Sequence, residues 1–231
     1  MVARGVQKIF SEVSRRYELV NHIITLGLDT IWRRRAANLA VADGGGRWMD
    51  VCSGTGEMAL YLSRRARNGE MVVSADFSSV MMAEALAKPE ASHISFVLAD
   101  VRAMPFNDDT FDLITISFGT RNINLSRETL TGCFSEFHRV LRRGGRFVNL
   151  ETSQPPSGLA RRLFHMYIRL VVKSLGRFVS GSKAGYAYLA HTIPRFYAAD
   201  ELADIMRQAG FAEVDYSRMV FGAVALHRAV K

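Results

Sequence analysis

Cysteine is scarce in this chain of 231 residues, which contains only Cys52 and Cys133. The two lie far apart in the sequence and form no C-x-x-C pair. This spacing argues against a disulfide framework and gives no zinc-binding motif. We therefore expect a reducing compartment, the cytoplasm, and no metal site.

Long apolar runs are also missing. The sequence has no stretch of about 18 apolar residues that could span a bilayer, and its first ten residues lack the apolar core of a signal peptide. Hydrophobic residues make up 48% of the chain and charged residues 23%, a balance typical of soluble globular proteins. A chain of this length suits one well-buried domain, so we predict a single domain over residues 1–231.

Acidic residues are absent between Glu151 and Asp200. The same stretch contains these basic residues: Arg161, Arg162, Arg169, Lys173, Arg177, Lys183 and Arg195. With a net charge of +8, this excess favours an anionic partner such as nucleic acid, phospholipid headgroups or an acidic protein. The basic residues alternate with aliphatic ones rather than with stacking aromatic rings, which disfavours nucleic acid. We therefore expect residues 155–195 to make peripheral contact with the inner face of a membrane.

A glycine turn lies in the most informative segment of the sequence. Gly54, Thr55 and Gly56 follow an apolar strand and precede a helix, and the next apolar strand ends on Asp76. Glycines let the backbone turn tightly and approach a ligand closely, because they have no Cβ. A carboxylate at the end of the second strand is placed to bind a ribose diol, so the order predicts a nucleotide site.

The residues around the turn indicate which nucleotide binds. Ala59 stands where a dinucleotide fingerprint usually has its third glycine, and no Lys-Ser/Thr pair follows the turn as in a P-loop. Asp50 and Glu57 flank the glycines, and these carboxylates would repel a pyrophosphate. A cationic ligand without phosphate fits better, and the segment therefore predicts S-adenosylmethionine. The alternative is an ordinary strand-turn-helix whose acidic residues only cap helices.

Strands and helices alternate from Arg47 onward, which predicts an α/β fold with a doubly wound, mostly parallel sheet covered on both faces. We divide the chain into N-terminal helices (1–43), a cofactor-binding core (44–152), a substrate lid (153–197) and a C-terminal helix with two strands (198–231). Strands are predicted near 47–51, 70–75, 94–98, 111–118, 145–151, 213–216 and 221–227, and helices near 57–67, 79–87, 127–142 and 199–209. Gly44–Gly46 is predicted as a flexible joint, and Arg142–Gly145 as the end of a helix.

Polar residues follow four of the predicted strands. Because ligands bind beyond the carboxyl ends of parallel strands, these residues should surround one site. The predicted cofactor-binding residues are Asp50, Gly54, Thr55, Gly56, Asp76, Phe77, Asp100, Val101 and Ser117. Asp100 is placed to accept a hydrogen bond from an adenine amino group.

Arg121 and Asn122 follow the fourth strand in a glycine-containing loop. An arginine there can bind an anion, and an asparagine can both donate and accept hydrogen bonds. Spacing alone does not distinguish this interpretation from a surface arginine beside a turn-forming asparagine.

Longer motifs extend over nearly the whole chain. They comprise Val6–Phe10, Tyr17 with Asn21, Met104–Phe106, Thr110–Asp112, Ile116–Asn122, Arg139–Leu141, Leu150–Glu151, Tyr186–Leu189 and Ala225–His227. In these motifs the chain resembles the ubiquinone/menaquinone biosynthesis C-methyltransferases. The Gly-Thr-Gly turn is shared by many methyltransferases, whereas the Phe-Gly-x-Arg-Asn and Tyr-x-Tyr-Leu stretches are far more specific to this family.

The resemblance implies a seven-stranded, Rossmann-like sheet of the class I methyltransferase type. It implies that Thr55, Asp76, Asp100, Val101 and Ser117 contact S-adenosylmethionine, and that residues 155–195 form a lid over an isoprenoid-bearing substrate. The implied reaction is C-methylation of a prenylated quinol, with demethylmenaquinol as the expected acceptor.

The resemblance also implies that Arg121 and Asn122 face the quinol. Arg121 stays protonated and would stabilise the developing phenolate. The candidate proton acceptors are His191, His165, Tyr188 and Glu151, and the sequence does not choose among them. We predict Arg121, Asn122 and His191 as catalytic residues and Tyr188 and Glu151 as substrate contacts.

Four departures from the family pattern bear on these expectations. Glu57 replaces the usual Asp, and Arg143 replaces a Pro before two glycines; both changes should leave the cofactor site working. Thr152 replaces a Phe, and His191 with Thr192 replaces Glu-Ser. These two changes lie near the expected quinol site, so the acceptor stays open: another quinone position or another small molecule is the first alternative. An RNA methyltransferase, a non-enzymatic membrane adaptor and a homodimer also stay open.

Overall fold

The computed structural model describes residues 18–67, 69–172 and 183–231. The Val6–Phe10 motif and Tyr17 lie outside these residues, as do most of the predicted first helix and residues 173–182 of the predicted lid. Residues 18–25 are helical, and a break at Gly27, with φ of 77°, separates them from the next helix.

Seven strands form one sheet in the order β3-β2-β1-β4-β5-β7-β6. The strands are β1 Arg47–Val51, β2 Met71–Asp76, β3 Ile94–Leu98, β4 Phe111–Ser117, β5 Leu141–Thr152, β6 Glu213–Met219 and β7 Val224–Val230. The first five are parallel, and β7 runs antiparallel to both β5 and β6. This confirms the predicted doubly wound, mostly parallel architecture, and each predicted strand has its counterpart.

Helices cover both faces of the sheet. They are α1 Leu28–Val41, α2 Glu57–Ser63, α3 Ser79–Leu86, α4 Thr120–Ile123, α5 Arg127–Val140, α6 Gly158–Tyr167, α7 Lys183–Thr192 and α8 Ala199–Gln208. Along β1, Met49 packs in a core with residues of α5 and α8, whereas Trp48 packs in a second core with α1 and α2. Alternate side chains thus bury opposite faces of one strand, as the two-residue period requires.

The junction between α5 and β5 differs from the prediction. The helix ends at Val140, and Leu141 already pairs with Phe111 of β4. The ladder register shifts before it resumes at Leu113. Gly144 has φ of 72°, and a Cβ on Gly145 would lie 2.7 Å from a backbone carbonyl oxygen. The two glycines therefore accommodate an irregularity inside a strand, and their assignment to a helix end was wrong.

Asp112 anchors the glycine segment that was predicted as a flexible joint. Its Oδ2 accepts hydrogen bonds from the backbone N of Gly46 at 2.6 Å and of Arg47 at 2.7 Å. A Cβ on Gly45 would lie 2.6 Å from Asp112 Cβ, so only glycine permits this approach. The buried carboxylate thereby fixes where β1 begins beside β4.

Helix α6 continues into a π-helical turn over Ile168–Val172. Tyr167 at this junction donates a hydrogen bond to the carbonyl oxygen of Ile24, which ties the segment to residues 18–25. Across the part of the chain that the structure describes, none of the helices combines the length and the apolar character needed to traverse a membrane.

A buried polar network connects β5, β7 and the start of α8. His227 Nε2 lies 2.8 Å from the carbonyl oxygen of Ala199; because a carbonyl only accepts, this nitrogen carries the proton. Asn149 Nδ2 donates to His227 Nδ1 at 3.3 Å, and Asn149 Oδ1 accepts from Thr120 Oγ1. Burial lowers the pKa of His227 to about 4, since the charged imidazolium is poorly solvated there.

This pKa makes stability depend on pH. Below its unfolded value of 6.5, His227 binds a proton in the unfolded chain but not in the folded one. The stability that depends on neutral His227 is therefore fully present above that pKa and decreases as the pH falls toward 4. We expect the stability difference between wild type and His227→Gln to shrink by up to about 3 kcal/mol over this window. Urea unfolding at several pH values measures it, with exposed His93→Gln as the control. An unchanged difference would contradict the burial of a neutral His227.

Candidate functional site

The carboxyl ends of β1, β2 and β4 surround a cavity that we call the strand-end cavity. Eight of the nine predicted cofactor-binding residues line it: Asp50, Gly54, Thr55, Asp76, Phe77, Asp100, Val101 and Ser117. The ninth, Gly56, is not part of its lining. With φ of 77°, Gly56 approaches α3, where an added Cβ would lie 3.0 Å from Ala85 Cβ. Its small size serves helix packing behind the turn.

Asp76 holds the glycine turn in place. Its Oδ2 accepts from the backbone N of Gly54 and its Oδ1 from the backbone N of Ser78, both at 2.8 Å. Burial raises the pKa of Asp76, against the effect of these backbone donors. Each carboxylate oxygen keeps a lone pair free, so Asp76 can still accept hydrogen bonds from two hydroxyl groups in the cavity.

Asp50 lies beneath the same turn and is 1% exposed. Thr115 Oγ1 donates to its Oδ1 at 2.7 Å. Burial raises the pKa of Asp50 to about 7, although Thr115 and the positive charge of Arg33 act in the opposite direction. The carboxyl group is thus divided between its two protonation states near neutral pH.

Asp100 is held by an arginine that sequence reasoning did not consider. Arg102 Nε lies 3.0 Å from both carboxylate oxygens of Asp100, and this pairing lowers the pKa of Asp100. Both side chains line the strand-end cavity beside buried Val101. The carboxylate is therefore ionised and oriented, and its contact with an adenine amino group stays a prediction.

Ser117 closes the opposite side of the cavity at the end of β4. Its hydroxyl oxygen is buried and has no hydrogen-bond partner among the described residues. Buried polar groups are nearly always paired, so an unpaired hydroxyl in a cavity wall fits a polar ligand. Acidic residues, an exposed aromatic ring at Phe77 and this hydroxyl together suit a nucleoside with a cationic substituent.

A second cavity, the apolar cavity, has a volume of about 610 Å³. Its walls come from residues 21–33, from α6 and its π-helical turn, and from the segment before β7. Most of the lining is aliphatic or aromatic, and Asp29, Arg33, Arg121 and Glu151 add charged side chains to it. The shape and chemistry suit an elongated apolar molecule with a polar head.

Arg121 lines the apolar cavity and is fixed from several directions. Its Nη1 donates to Thr192 Oγ1 at 2.7 Å, and its guanidinium carbon lies 5.7 Å from the centre of the Tyr188 ring. Its backbone N donates to Glu151 Oε2 at 3.1 Å. Buried Arg121 Nε has no partner among the described residues, which leaves one charged donor for a ligand.

Asn122 and Tyr188 lie beside this arginine. Asn122 lines the strand-end cavity rather than the apolar one, and the Tyr188 hydroxyl donates to Asn122 Oδ1 at 3.4 Å. Burial raises the pKa of Tyr188. The predicted pair Arg121 and Asn122 thus face two different cavities, one on each side of the wall between them.

The histidines predicted as proton acceptors lie elsewhere. His191 is exposed and its Nδ1 lies 3.1 Å from Arg195 Nη1, while His165 Nε2 lies 2.8 Å from Gln154 Oε1. Neither lines a cavity found in the described part of the chain. The structure does not bring His191 to Arg121 and Asn122, because the face of α7 that packs inward carries Tyr188 and Thr192.

Arg33 and Phe118 are the residues that sequence reasoning missed, and they line both cavities. Arg33 is 4% exposed and lies 5.2 Å from the Phe118 ring centre. Its two terminal nitrogens bind Asp29 at 2.7 Å and Glu57 at 3.0 Å. The signal was present in the spacing, since Asp29 precedes Arg33 by one helical turn.

A group of possible metal ligands surrounds this arginine. His22, Asp29 and Glu57 offer ligand atoms within 4.8 Å of one another. Arg33 already binds both carboxylates, so these oxygens have a cationic partner without an ion. We therefore interpret the group as support for Arg33.

Comparisons with known proteins agree with this geometry. The profile of the ubiE/COQ5 methyltransferase family matches residues 2–231. A demethylmenaquinone methyltransferase of Thermus thermophilus is 40% identical over 221 residues, which are 95% of this chain and 98% of that protein. The ubiquinone/menaquinone biosynthesis C-methyltransferase UbiE of Desulfotalea psychrophila is 34% identical over 227 residues, covering 98% and 90% of the two chains.

A solved structure supports the fold. The crystal structure of a SAM-dependent methyltransferase, a possible histamine N-methyltransferase from Thermotoga maritima, superposes with a TM-score of 0.66. It is 18% identical, and the match covers 98% of this chain and 99% of that one. With sequence profile, relatives and fold in agreement, this chain belongs to the ubiE/COQ5 methyltransferase family and is an S-adenosylmethionine-dependent methyltransferase.

Proposed function

We propose that this methyltransferase transfers a methyl group from S-adenosylmethionine to a ring carbon of a prenylated quinol, with demethylmenaquinol as the acceptor. One observation carries the proposal: a polar, acid-lined cavity and an apolar cavity meet at Arg33 and Phe118. A methyl donor on one side and a quinol ring on the other would face each other at this wall. The names of the relatives from Thermus thermophilus and Desulfotalea psychrophila support the same acceptor class.

The residues of the strand-end cavity fit the cofactor. Asp76 would accept from the two ribose hydroxyls, and Ser117 Oγ would gain the partner that the protein does not give it. Ionised Asp100 would accept from the adenine amino group, which requires Arg102 to share its carboxylate. Bound S-adenosylmethionine supplies a methyl group on a sulfonium, an electrophile that needs an electron-rich carbon in line with it.

Arg121 would make the acceptor carbon electron-rich. Its Nε, which has no partner among the described residues, would donate to the quinol oxygen and stabilise it as a phenolate, and the phenolate would push electron density into the ring. As the new carbon–carbon bond forms, the bond between methyl and sulfur breaks, and the ring then loses the proton from the methylated carbon. A buried guanidinium stabilises the negative charge more strongly than an exposed one would.

We assign Glu151 as the group that would accept the proton of the quinol hydroxyl. It is fully buried, lines the apolar cavity and touches the backbone of Arg121. Its other oxygen accepts from the backbone N and the hydroxyl of Thr152 at 2.8 and 2.9 Å. This fixes the carboxylate beside the place where the quinol oxygen would bind. Thr152, a departure from the family pattern, thus contributes a hydrogen bond that the usual phenylalanine could not make.

The decisive experiment supplies the purified chain with S-adenosylmethionine and chemically reduced demethylmenaquinone. Product mass should rise by one methyl group, and fragmentation should place that group on the ring carbon rather than on oxygen. Methylation on oxygen, or turnover only of an unrelated acceptor, would contradict the proposal.

Replacing Arg121 tests its role toward the acceptor. In Arg121→Ala we expect kcat/KM for demethylmenaquinol to fall by about a hundredfold or more, because the phenolate loses its cation. Calorimetric affinity for S-adenosylhomocysteine should stay unchanged, since Arg121 does not line the strand-end cavity. Exposed Arg127→Ala serves as the control. Wild-type turnover by Arg121→Ala would refute the assigned role.

Replacing Ser117 tests the cofactor cavity. Ser117→Ala should weaken S-adenosylhomocysteine binding by roughly three- to tenfold, the net value of one hydrogen bond. Stability of the ligand-free protein should not fall, because the hydroxyl has no partner among the described residues. Ser95→Ala, an exposed serine on β3, is the matched control. Equal affinity of Ser117→Ala and wild type would place the ligand elsewhere.

A further inference from the structure

Several side chains that line the apolar cavity are both apolar and exposed to solvent. Six residues that line this cavity are also among the large hydrophobic residues exposed to solvent: Leu26, Leu28, Leu159, Leu163, Val220 and Phe221. We call these six residues the apolar rim. They come from three separate segments: Leu26 and Leu28 at the start of α1, Leu159 and Leu163 along α6, and Val220 and Phe221 between β6 and β7. A single exposed leucine needs no explanation, but six exposed apolar residues that all line one cavity indicate a surface that binds another molecule or a membrane.

Three residues of the apolar rim have a strained backbone. Leu26 has φ of 54°, Val220 of 49° and Phe221 of 54°, a region that side chains with a Cβ rarely adopt. Leu26 is 84% and Phe221 87% exposed. Within the folded chain such exposure gains no packing energy that would offset the strain. Strained backbone that displays apolar groups is typical of a binding surface.

Helix α6 extends the same surface. Leu159, Leu163, Met166 and Leu170 recur at the spacing of one helical face, and all four are exposed. Arg162 and Arg169 are exposed on the same segment. An apolar stripe beside cationic residues matches a helix that lies in the interface of a membrane, with its leucines among the acyl chains and its arginines at the headgroups.

Charge selects the kind of membrane. No acidic residue occurs between Glu151 and Asp200, so α6 and its continuation carry only positive charge. Arg161 is exposed next to Arg162, and its Nε donates to the carbonyl oxygen of Pro155. Such a segment is attracted to anionic phospholipids and not to neutral ones.

We propose that the apolar rim and the exposed face of α6 dock onto an anionic phospholipid bilayer, so that the apolar cavity opens directly into the acyl-chain region. A bilayer fits better than a second copy of the chain, because a rigid protein surface would close off the cavity that the rim residues line. The docking itself needs no quinol. The docking would allow a prenylated ring to enter while its tail stays in lipid, and this role rests on the proposed function.

Vesicle sedimentation tests the docking with full-length protein and neither cofactor nor quinol present. We expect the wild type to sediment with vesicles of phosphatidylcholine and phosphatidylglycerol and far less with phosphatidylcholine alone. Leu26→Asn and Phe221→Asn should each lower binding to the mixed vesicles by about tenfold or more, because each removes one large apolar group from the lipid. Asparagine tolerates positive φ, so thermal unfolding should show intact folds.

Matched variants separate the apolar and charged contributions. Leu86→Asn removes a leucine that is also more than half exposed but lines neither cavity, and binding should stay at the wild-type level. Arg162→Gln and Arg169→Gln should each lower binding to mixed vesicles by about fivefold and leave the weak binding to phosphatidylcholine unchanged.

Three results would overturn the docking proposal. The first is a wild type that sediments with neither kind of vesicle. The second is equal binding by wild type and both rim variants. The third concerns the oligomeric state in light scattering: the wild type would be a dimer, and Leu26→Asn and Phe221→Asn would be monomers with unchanged vesicle binding. That result would assign the rim to contact with a second copy of the chain. None of these depends on methyl transfer, so the docking and the reaction can fail separately.

Discussion

The carboxylate of Asp76 is the contact on which the rest of the site depends. It joins the ends of β1 and β2 by accepting from the backbone of Gly54 and of Ser78. One side chain therefore sets the path of the glycine turn and the start of α3. Because the parallel sheet fixes where β1 and β2 end, the position of the turn follows from the sheet itself. The positions of buried Asp50 and of Gly56, which packs on Ala85, follow from the path of this turn.

Two dissimilar cavities then share a wall made of Arg33 and Phe118. An unpaired cation in this position would repel a sulfonium, but Asp29 and Glu57 bind both terminal nitrogens of Arg33. The two carboxylates offset its positive charge and hold the guanidinium over the Phe118 ring. Phe118 adopts φ of 56°, so the chain turns sharply after β4 and presents its ring to both sides. The wall would separate a polar ligand from an apolar one and keep their reactive ends close.

Much of this could be predicted from residue order. Apolar strands that end in glycine or a carboxylate indicate a parallel sheet and the edge where ligands bind, and eight of nine predicted residues line one cavity. Other features depend on contacts between distant segments, which local patterns do not contain. Gly144 and Gly145 resemble a helix end in the sequence, but they adjust the register of a strand. Arg33 resembles Arg34 and Arg35 beside it in the sequence, but it is buried and paired with Asp29. His191 follows a family-specific motif, yet the rotation of α7 turns it away from Arg121.

The environment of Asp50 has a consequence for energetics. With a pKa of about 7, this carboxyl group is only partly ionised at neutral pH when the cavity contains no ligand. A sulfonium bound beside it, as the proposed function implies, would favour the anion, whereas the demethylated product, which has lost that positive charge, would not. Donor and product would then leave the protein with different numbers of bound protons, and the heat of each binding event would include the ionisation heat of the buffer. Because the donor expels a proton when it binds, the preference for donor over product grows as the pH rises through about 7.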